Sequence, residues 1–307
     1  MIAFFANIFG FILNFIYEIV KNYGIAIIVF SILIKLLMIP ISLKQQKTMK
    51  KSAKIQQKMQ ELQQKYKNNQ EKLSQEMMEL YKSENMSPFS GCLSAIVQII
   101  LLFAVFYLVR SPLTYMKKVD TGLIEKYTKI INEYELSTNS AYPEIEVIRE
   151  LDNIRNIKNE ENAEQTEQEK TDLAEIKEEE IEQLDLNMEF LGLNLAQVPT
   201  KSSDWKAYII PILYVLVAVL SMKITNPTSP KPEKIENKDE TALTNPDDNF
   251  NPMDYMNKNM NIMFPVMYLA VALIAPLGLA LYWLMNSLLM IVEKLALNKL
   301  LKDEEEK

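Results

Sequence analysis

Five apolar runs, each bounded by polar or charged sequence, constrain this chain more than any other feature. They cover residues 23–43, 88–109, 206–222, 261–275 and 277–297. Runs of this kind match the hydrocarbon thickness of a bilayer, which takes about 20 apolar residues of helix. Inside hydrocarbon the backbone must satisfy its own hydrogen bonds, so each run is expected to be a helix. Pro276-Leu277-Gly278 separates the last two runs and predicts a tight helical hairpin. The third and fourth runs are short: about fifteen residues of helix reach about 22 Å, less than the usual core, and short helices thin the bilayer around them. The expected fold is an all-α polytopic membrane protein with a five-helix core.

Composition agrees. Of 307 residues, 49% are apolar, yet mean hydropathy is only -0.05, because apolar runs alternate with heavily charged ones. The chain has no histidine and one cysteine. That removes the commonest general base and metal ligand, and any intrachain disulfide. Neither a P-loop, a dinucleotide fingerprint nor a His-Glu-x-x-His motif is present, so no enzyme activity, metal or cofactor is expected. Residues 1–20 show neither a basic start nor a small-residue cleavage site, which argues against a signal peptide.

Lysine placement gives the expected orientation. Residues 44–82 carry ten lysines, many close to the end of the first run, which places this segment in the cytoplasm by the positive-inside rule. Alternation then puts residues 110–205 outside, 223–260 inside and the tail, 298–307, inside. Asn7, Asn14, Glu18 and Lys21 form one stripe among Phe, Ile, Leu and Tyr. Residues 1–22 are therefore read as an amphipathic helix lying on the outer surface, with a sixth span as the alternative.

In the cytoplasmic segment, Ile55, Met59, Leu62 and Tyr66 recur at helical spacing, as do Leu73, Met77 and Leu80 after Lys67-Asn68-Asn69. Residues 44–87 are expected to form an antiparallel helical hairpin, either a docking arm or a solvated spacer whose lysines touch anionic lipid. In the outer segment, Leu123–Tyr134 and Val147–Ile154 fit helices. Asn159–Glu182 is mostly Glu, Lys, Gln and Asn, and is expected to be solvated helix or disordered. Phe190–Leu195 turns apolar again and is expected to lie against the membrane.

The chemistry that remains is polar residues within the runs. Lys35 is the sharpest, because an ionisable group inside a span is costly and is a functional hypothesis by default. Ser31 lies one turn earlier on the same face. Gln98 and Ser94 share a face of the second run, Ser221 ends the third, and Tyr282, Trp283 and Asn286 lie in the fifth. Reading acids by depth finds none deep in a span, so Lys35 is expected to have no intramembrane carboxylate partner. It is expected in a water-filled recess open to the cytoplasm, with a lipid-facing, snorkelling lysine as the bland alternative. Cys92 is read as a small buried apolar residue, with lipidation as the alternative.

These stretches resemble the YidC/Oxa/Alb membrane protein insertase family. The resemblance is carried by Asn22-Tyr23-Gly24 through Ile34-Lys35-Leu36 to Pro40, Leu43-Lys44-Gln45, and Asn85–Gln98 with Pro88-Phe89-Ser90-Gly91-Cys92-Leu93. It continues through Phe190–Leu195, Ser221-Met222-Lys223, and Phe264-Pro265-Val266-Met267 to Tyr282-Trp283. It implies an insertase or chaperone with a hydrophilic groove open to cytoplasm and lipid and closed outside. The expected groove residues are Lys35, Ser31, Gln98, Ser221, Tyr282 and Trp283. Lys35 stands where the family more often has Arg, and Ser221 where many members have Gln. The tail Asp303–Glu306 is acidic, unlike the basic tails some relatives offer to ribosomes.

The implied partners are nascent membrane proteins, with the Sec translocon, the ribosome and anionic lipids as further partners, in a bacterial cell membrane. The alternatives are an anion or solute transporter with Lys35 as its site, which predicts internal repeats and broken helices not seen in the sequence, and a membrane-anchored sensor using the acidic outer insertion.

Overall fold

The structure is a computed structural model that describes residues 2–66, 69–84, 90–136, 141–159, 176–225, 263 and 265–305. Gln98, Cys92 and Ser94 lie outside the residues whose side chains are described, as do most of residues 223–260 and the middle of the acidic run, 160–175. The chain is an all-α polytopic membrane protein, and among the described residues the strands form one two-stranded hairpin. Among the described residues, four helices are long and apolar enough to cross a membrane: Ile2–Val20, Tyr23–Thr48, Trp205–Ile224 and Leu277–Leu300.

Helix α1 is Ile2–Val20. Lys21, in the left-handed region at φ 51°, turns the chain sharply into α2. Helix α2, Tyr23–Lys65, runs unbroken for 43 residues, about 64 Å at 1.5 Å per residue. The first apolar run and the first arm of the lysine-rich hairpin are thus one rod. The sequence pattern suggested a boundary near Leu43, but Lys and Gln are good helix formers and carry the helix on. Pro40 lies within the rod and removes one hydrogen bond from its ladder.

Helix α3, Gln70–Ser83, folds back on α2 after Asn69, whose side chain accepts from Lys72 N at 3.0 Å and so caps the new helix. The two arms meet through Tyr81 Oη on Met59 Sδ at 3.3 Å, Tyr66 Oη on Glu76 Oε1 at 3.1 Å and a Lys58–Glu84 ion pair at 2.6 Å. Helix α4 is Ser90–Arg110.

The insertion that follows has its own small core. A π-helical turn, Leu113–Lys117, leads to α5 (Thr121–Glu133), α6 (Pro143–Asn159) and the short α7 (Glu178–Leu184). Ile124, Tyr127, Ile130 and Ile131 of α5 are buried, as are Ile145, Val147, Ile148, Leu151 and Ile154 of α6 and Ile181 and Leu184 of α7. The end of the acidic run is therefore packed helix, because Ile176, Ile181 and Leu184 place apolar groups among its glutamates.

Strands β1 (Glu189–Phe190) and β2 (Leu193–Asn194) then pair antiparallel. Leu191 (φ 52°) and Gly192 (φ 75°) form the turn, both in the left-handed region that two-residue hairpins use. Helix α8 (Ile209–Thr225) follows the short 3₁₀ segment Trp205–Tyr208. A shorter apolar helix, α9, covers Pro265–Ile274, and α10 covers Leu277–Glu305.

The segment 187–197 fastens three helices at the insertion side of the bundle. Asn187 O accepts from Tyr23 N at 3.0 Å, and Asn22 Nδ2 donates to Glu189 O at 2.5 Å, holding the start of α2. Gln197 O accepts from Leu277 N at 2.8 Å and Leu195 O from Gly278 N at 2.9 Å, holding the start of α10. Asn187 N donates to Tyr17 Oη at 3.0 Å, holding the end of α1. A helix start carries N–H groups without intrahelical partners. This one loop supplies acceptors to two such starts and ties both to the same place.

Candidate functional site

Helix α2 has two unlike faces. Ile25, Val29, Ile32 and Leu36 are exposed at helical spacing and form an apolar stripe suited to lipid. The opposite stripe carries Ser31, Lys35, Met38, Ser42 and Gln45, and it turns toward α4 and α10. There these residues border a recess of about 30 Å³ with Leu101 of α4 and Tyr282 and Asn286 of α10. A site of this size, with several polar groups, has room for only one or two waters.

Ser31 is buried, and its hydroxyl donates to Ile27 O of its own helix at 2.7 Å, which leaves its oxygen free to accept. The Lys35 Nζ lies 2.7 Å from Glu293 Oε2, with the two side chains only 20% and 12% exposed. This overturns the expectation that Lys35 has no carboxylate partner among the spans. Glu293 sits on α10, one stripe with Tyr282 and Asn286 at spacings of four and seven, and it meets the recess through Lys35. Reading acids by depth along each span missed it; reading the polar stripe of the last helix would have found it. Glu293 Oε1 is buried and has no hydrogen-bond partner among the described residues. Further toward the hairpin side, buried Gln46 donates from Nε2 to Asn298 Oδ1 at 2.7 Å.

The ion pair changes the electrostatics of the site. Alone, an ammonium here would make a positive recess; paired, the two groups are close to neutral. Removing one member of a mostly buried pair strands the other charge, at a cost of about 3–5 kcal/mol.

The structure sorts the six residues singled out from the sequence. It brings Ser31, Lys35 and Tyr282 together around the recess. Trp283, one position on, points to a different side of α10, where its ring lies 5.7 Å from that of Tyr214 on α8, which in turn lies 6.0 Å from Tyr268 on α9. Trp283 therefore joins the last three helices through an aromatic cluster rather than lining the recess. Ser221 is 1% exposed on α8. The side chain of Gln98 is outside those described. Among the described residues, no group of acids, cysteines or histidines is arranged to hold a metal ion.

Residues 15–305 match the family described as 60Kd inner membrane protein. Over 107 residues the chain is 38% identical to proteins named membrane protein insertase YidC from Francisella tularensis subsp. novicida strain U112 and subsp. tularensis strain WY96-3418. The same figures hold for the protein of that name from subsp. holarctica strain LVS. That stretch is 35% of this chain and 19% of each relative's length. Since the family match runs from the last third of α1 to the end of α10, the chain belongs to the 60Kd inner membrane protein family, the YidC/Oxa/Alb family that its sequence resembles.

Proposed function

We propose that the chain is a membrane protein insertase whose working site is the recess around Lys35. The observation that carries this reading is the two-sided build of α2: lipid-suited side chains on one face and a polar, charged recess on the other. A passenger helix can contact lipid while its polar flank is held by Ser31, Lys35, Tyr282 and Asn286. Burial of about 20 apolar residues of the passenger drives the reaction, so no nucleotide is needed. The partners are newly made membrane proteins, delivered by the ribosome or alongside a Sec channel, with anionic lipid heads meeting the lysines of residues 44–82.

Orientation follows the same reading. The α2–α3 hairpin and the end of α10 face the cytoplasm of a bacterial cell, supported by the ten lysines of residues 44–82. The insertion faces outward, and the loop 187–197 closes the groove on that side.

Helix α1 lies along the outer surface. Three points along it meet insertion-side elements: Asn7 hydrogen-bonds Lys118, Gly10 sits against the Tyr115 carbonyl, and Tyr17 meets Asn187. Were α1 to descend through the bilayer, Asn7 would lie about 15 Å below Tyr17. Phe4, Ile8, Phe11, Phe15 and Ile19 form its exposed stripe, suited to the acyl boundary.

The test is photocrosslinking from Met38, which borders the recess without belonging to the ion pair. A crosslinker placed there in the full chain is expected to capture a ribosome-bound nascent membrane protein, whereas one at lipid-facing Ile32 captures lipid. Equal capture of lipid at both positions overturns the assignment.

A further inference from the structure

We infer that Glu293 sets the selectivity of the recess: with Lys35 it forms a neutral donor–acceptor pair that receives uncharged polar peptide and holds acidic segments off. This rests on the insertase reading above and deepens it.

Two observations carry the inference. The first is the pair itself, Lys35 Nζ to Glu293 Oε2 at 2.7 Å, with both side chains largely buried. The ammonium has three N–H donors and this contact uses one. The second is Glu293 Oε1, buried and without a hydrogen-bond partner among the described residues. The site thus offers spare N–H donors beside an unused, charged acceptor. An uncharged peptide group matches this arrangement, since its C=O accepts from the ammonium while its N–H donates to Oε1. Serine, threonine and asparagine side chains, which both donate and accept, match it as well.

An acidic segment does not match. A second carboxylate must compete with Glu293 for one ammonium, in surroundings where charges are poorly solvated. The result is two anions and one cation, so entry requires Glu293 to leave. Without Glu293 the recess is cationic and the preference reverses. The residue that decides which passengers enter is therefore the acid on α10 as much as the lysine on α2.

The experiment uses the full chain in proteoliposomes, with and without Glu293→Gln. Two single-span passengers are offered, identical except that serines in one outer tail replace aspartates in the other. The native chain is expected to insert the serine passenger better. Glu293→Gln, which keeps the side chain's shape, is expected to raise insertion of the aspartate passenger about tenfold relative to the serine one. Glu293→Asp, which keeps the charge, retains the native preference and shows that a Gln effect is not a folding defect. If both passengers are inserted and their ratio is the same in all three proteins, the selectivity role is refuted while the insertase reading stands. If the native chain inserts neither passenger, the insertase reading fails and this inference fails with it.

Discussion

Replacing Gly24 by alanine probes the attachment of the 187–197 loop to the start of α2. A Cβ at position 24 would lie 2.5 Å from both Cγ and Cδ2 of Phe190 and 2.7 Å from its Cβ. Ordinary carbon contacts lie near 3.5 Å, so the ring and its strand must withdraw by about 1 Å. The crowded atoms are the root of the side chain, so a rotamer change does not relieve them. Overpacking of this kind costs about 1–3 kcal/mol. The shift also strains the two hydrogen bonds beside it, Tyr23 N to Asn187 O and Asn22 Nδ2 to Glu189 O, each worth about 0.5–1.5 kcal/mol.

Gly24→Ala should therefore destabilise the loop by about 2 kcal/mol and at most about 6 kcal/mol, the upper value if both hydrogen bonds are lost outright. The assay is equilibrium unfolding in detergent combined with protease cleavage within 187–197. The double variant decides the cause. Phe190→Gly alone loses packing, but in the Gly24→Ala background it removes all three crowded atoms, so it should be neutral or stabilising there. The two changes would then be strongly non-additive, as expected for residues in contact. Additive losses would refute the idea that Phe190 is what position 24 cannot give way to.

Gly10→Ala drives a Cβ into the Tyr115 carbonyl, which is backbone and cannot move aside. It should detach α1 from the Leu113–Lys117 turn, read as new protease sensitivity in residues 2–20. Glu144 is buried, with its carboxylate accepting from Thr114 N at 3.0 Å and Thr114 Oγ1 at 2.7 Å, and burial pushes its pKa above the ordinary glutamate value despite those bonds. Its folded form binds a proton more readily than its unfolded form, so its contribution is full below about pH 4.3 and is lost as pH rises through the raised value. The melting temperature of Glu144→Gln relative to the native chain should accordingly climb between pH 4 and 7; a constant or falling difference would refute this. Lys58→Ala breaks an exposed pair with Glu84 and should cost no more than about 1 kcal/mol in the unfolding of the α2–α3 hairpin. A disulfide between Gln46→Cys and Asn298→Cys, in a chain with Cys92→Ser, should block insertion until reduced; full activity in the oxidised form would show that α2 and α10 need not part there.

What the sequence disclosed follows from the reach of each signal. Helical periodicity is local, so the stripe holding Ser31 and Lys35, the two arms of the lysine-rich hairpin, and the apolar faces of α5 and α6 could all be read directly. Glu293 was equally local, in register with Tyr282 and Asn286, but its position near the end of a span disguised it as a boundary residue. The continuity of α2 was hidden for a different reason. Hydropathy changes at Leu43 while helix propensity does not, and the pattern marks where lipid ends rather than where the helix ends. The loop contacts were beyond any local signal. Asn22 and Glu189 are separated by 167 positions, and their bond runs to a backbone carbonyl whose residue type is immaterial. Phe190 and Gly24 could be recognised as a pair only once a three-dimensional path brought them together.

The distribution of ties between α2 and α10 argues for the direction in which the recess opens. At the insertion side both helices are held through backbone hydrogen bonds to one loop, at 2.8–3.0 Å. Backbone bonds of this kind stop helix-start N–H groups from being left unsatisfied, so breaking them exposes several costly donors at once. Toward the hairpin side the ties identified are between side chains: Lys35 with Glu293, and Gln46 with Asn298. Side chains can exchange partners by rotation without unwinding either helix. A recess with room for one or two waters cannot hold a peptide until α2 and α10 separate. The separation that costs least keeps the backbone-tied end together, parts Gln46 from Asn298 and lets Lys35 and Glu293 take an uncharged peptide group between them, so the helices swing apart about the 187–197 loop. A passenger able to replace those side-chain contacts with its own offsets the cost of opening as it enters, which links the shape change to the chemistry of what is bound.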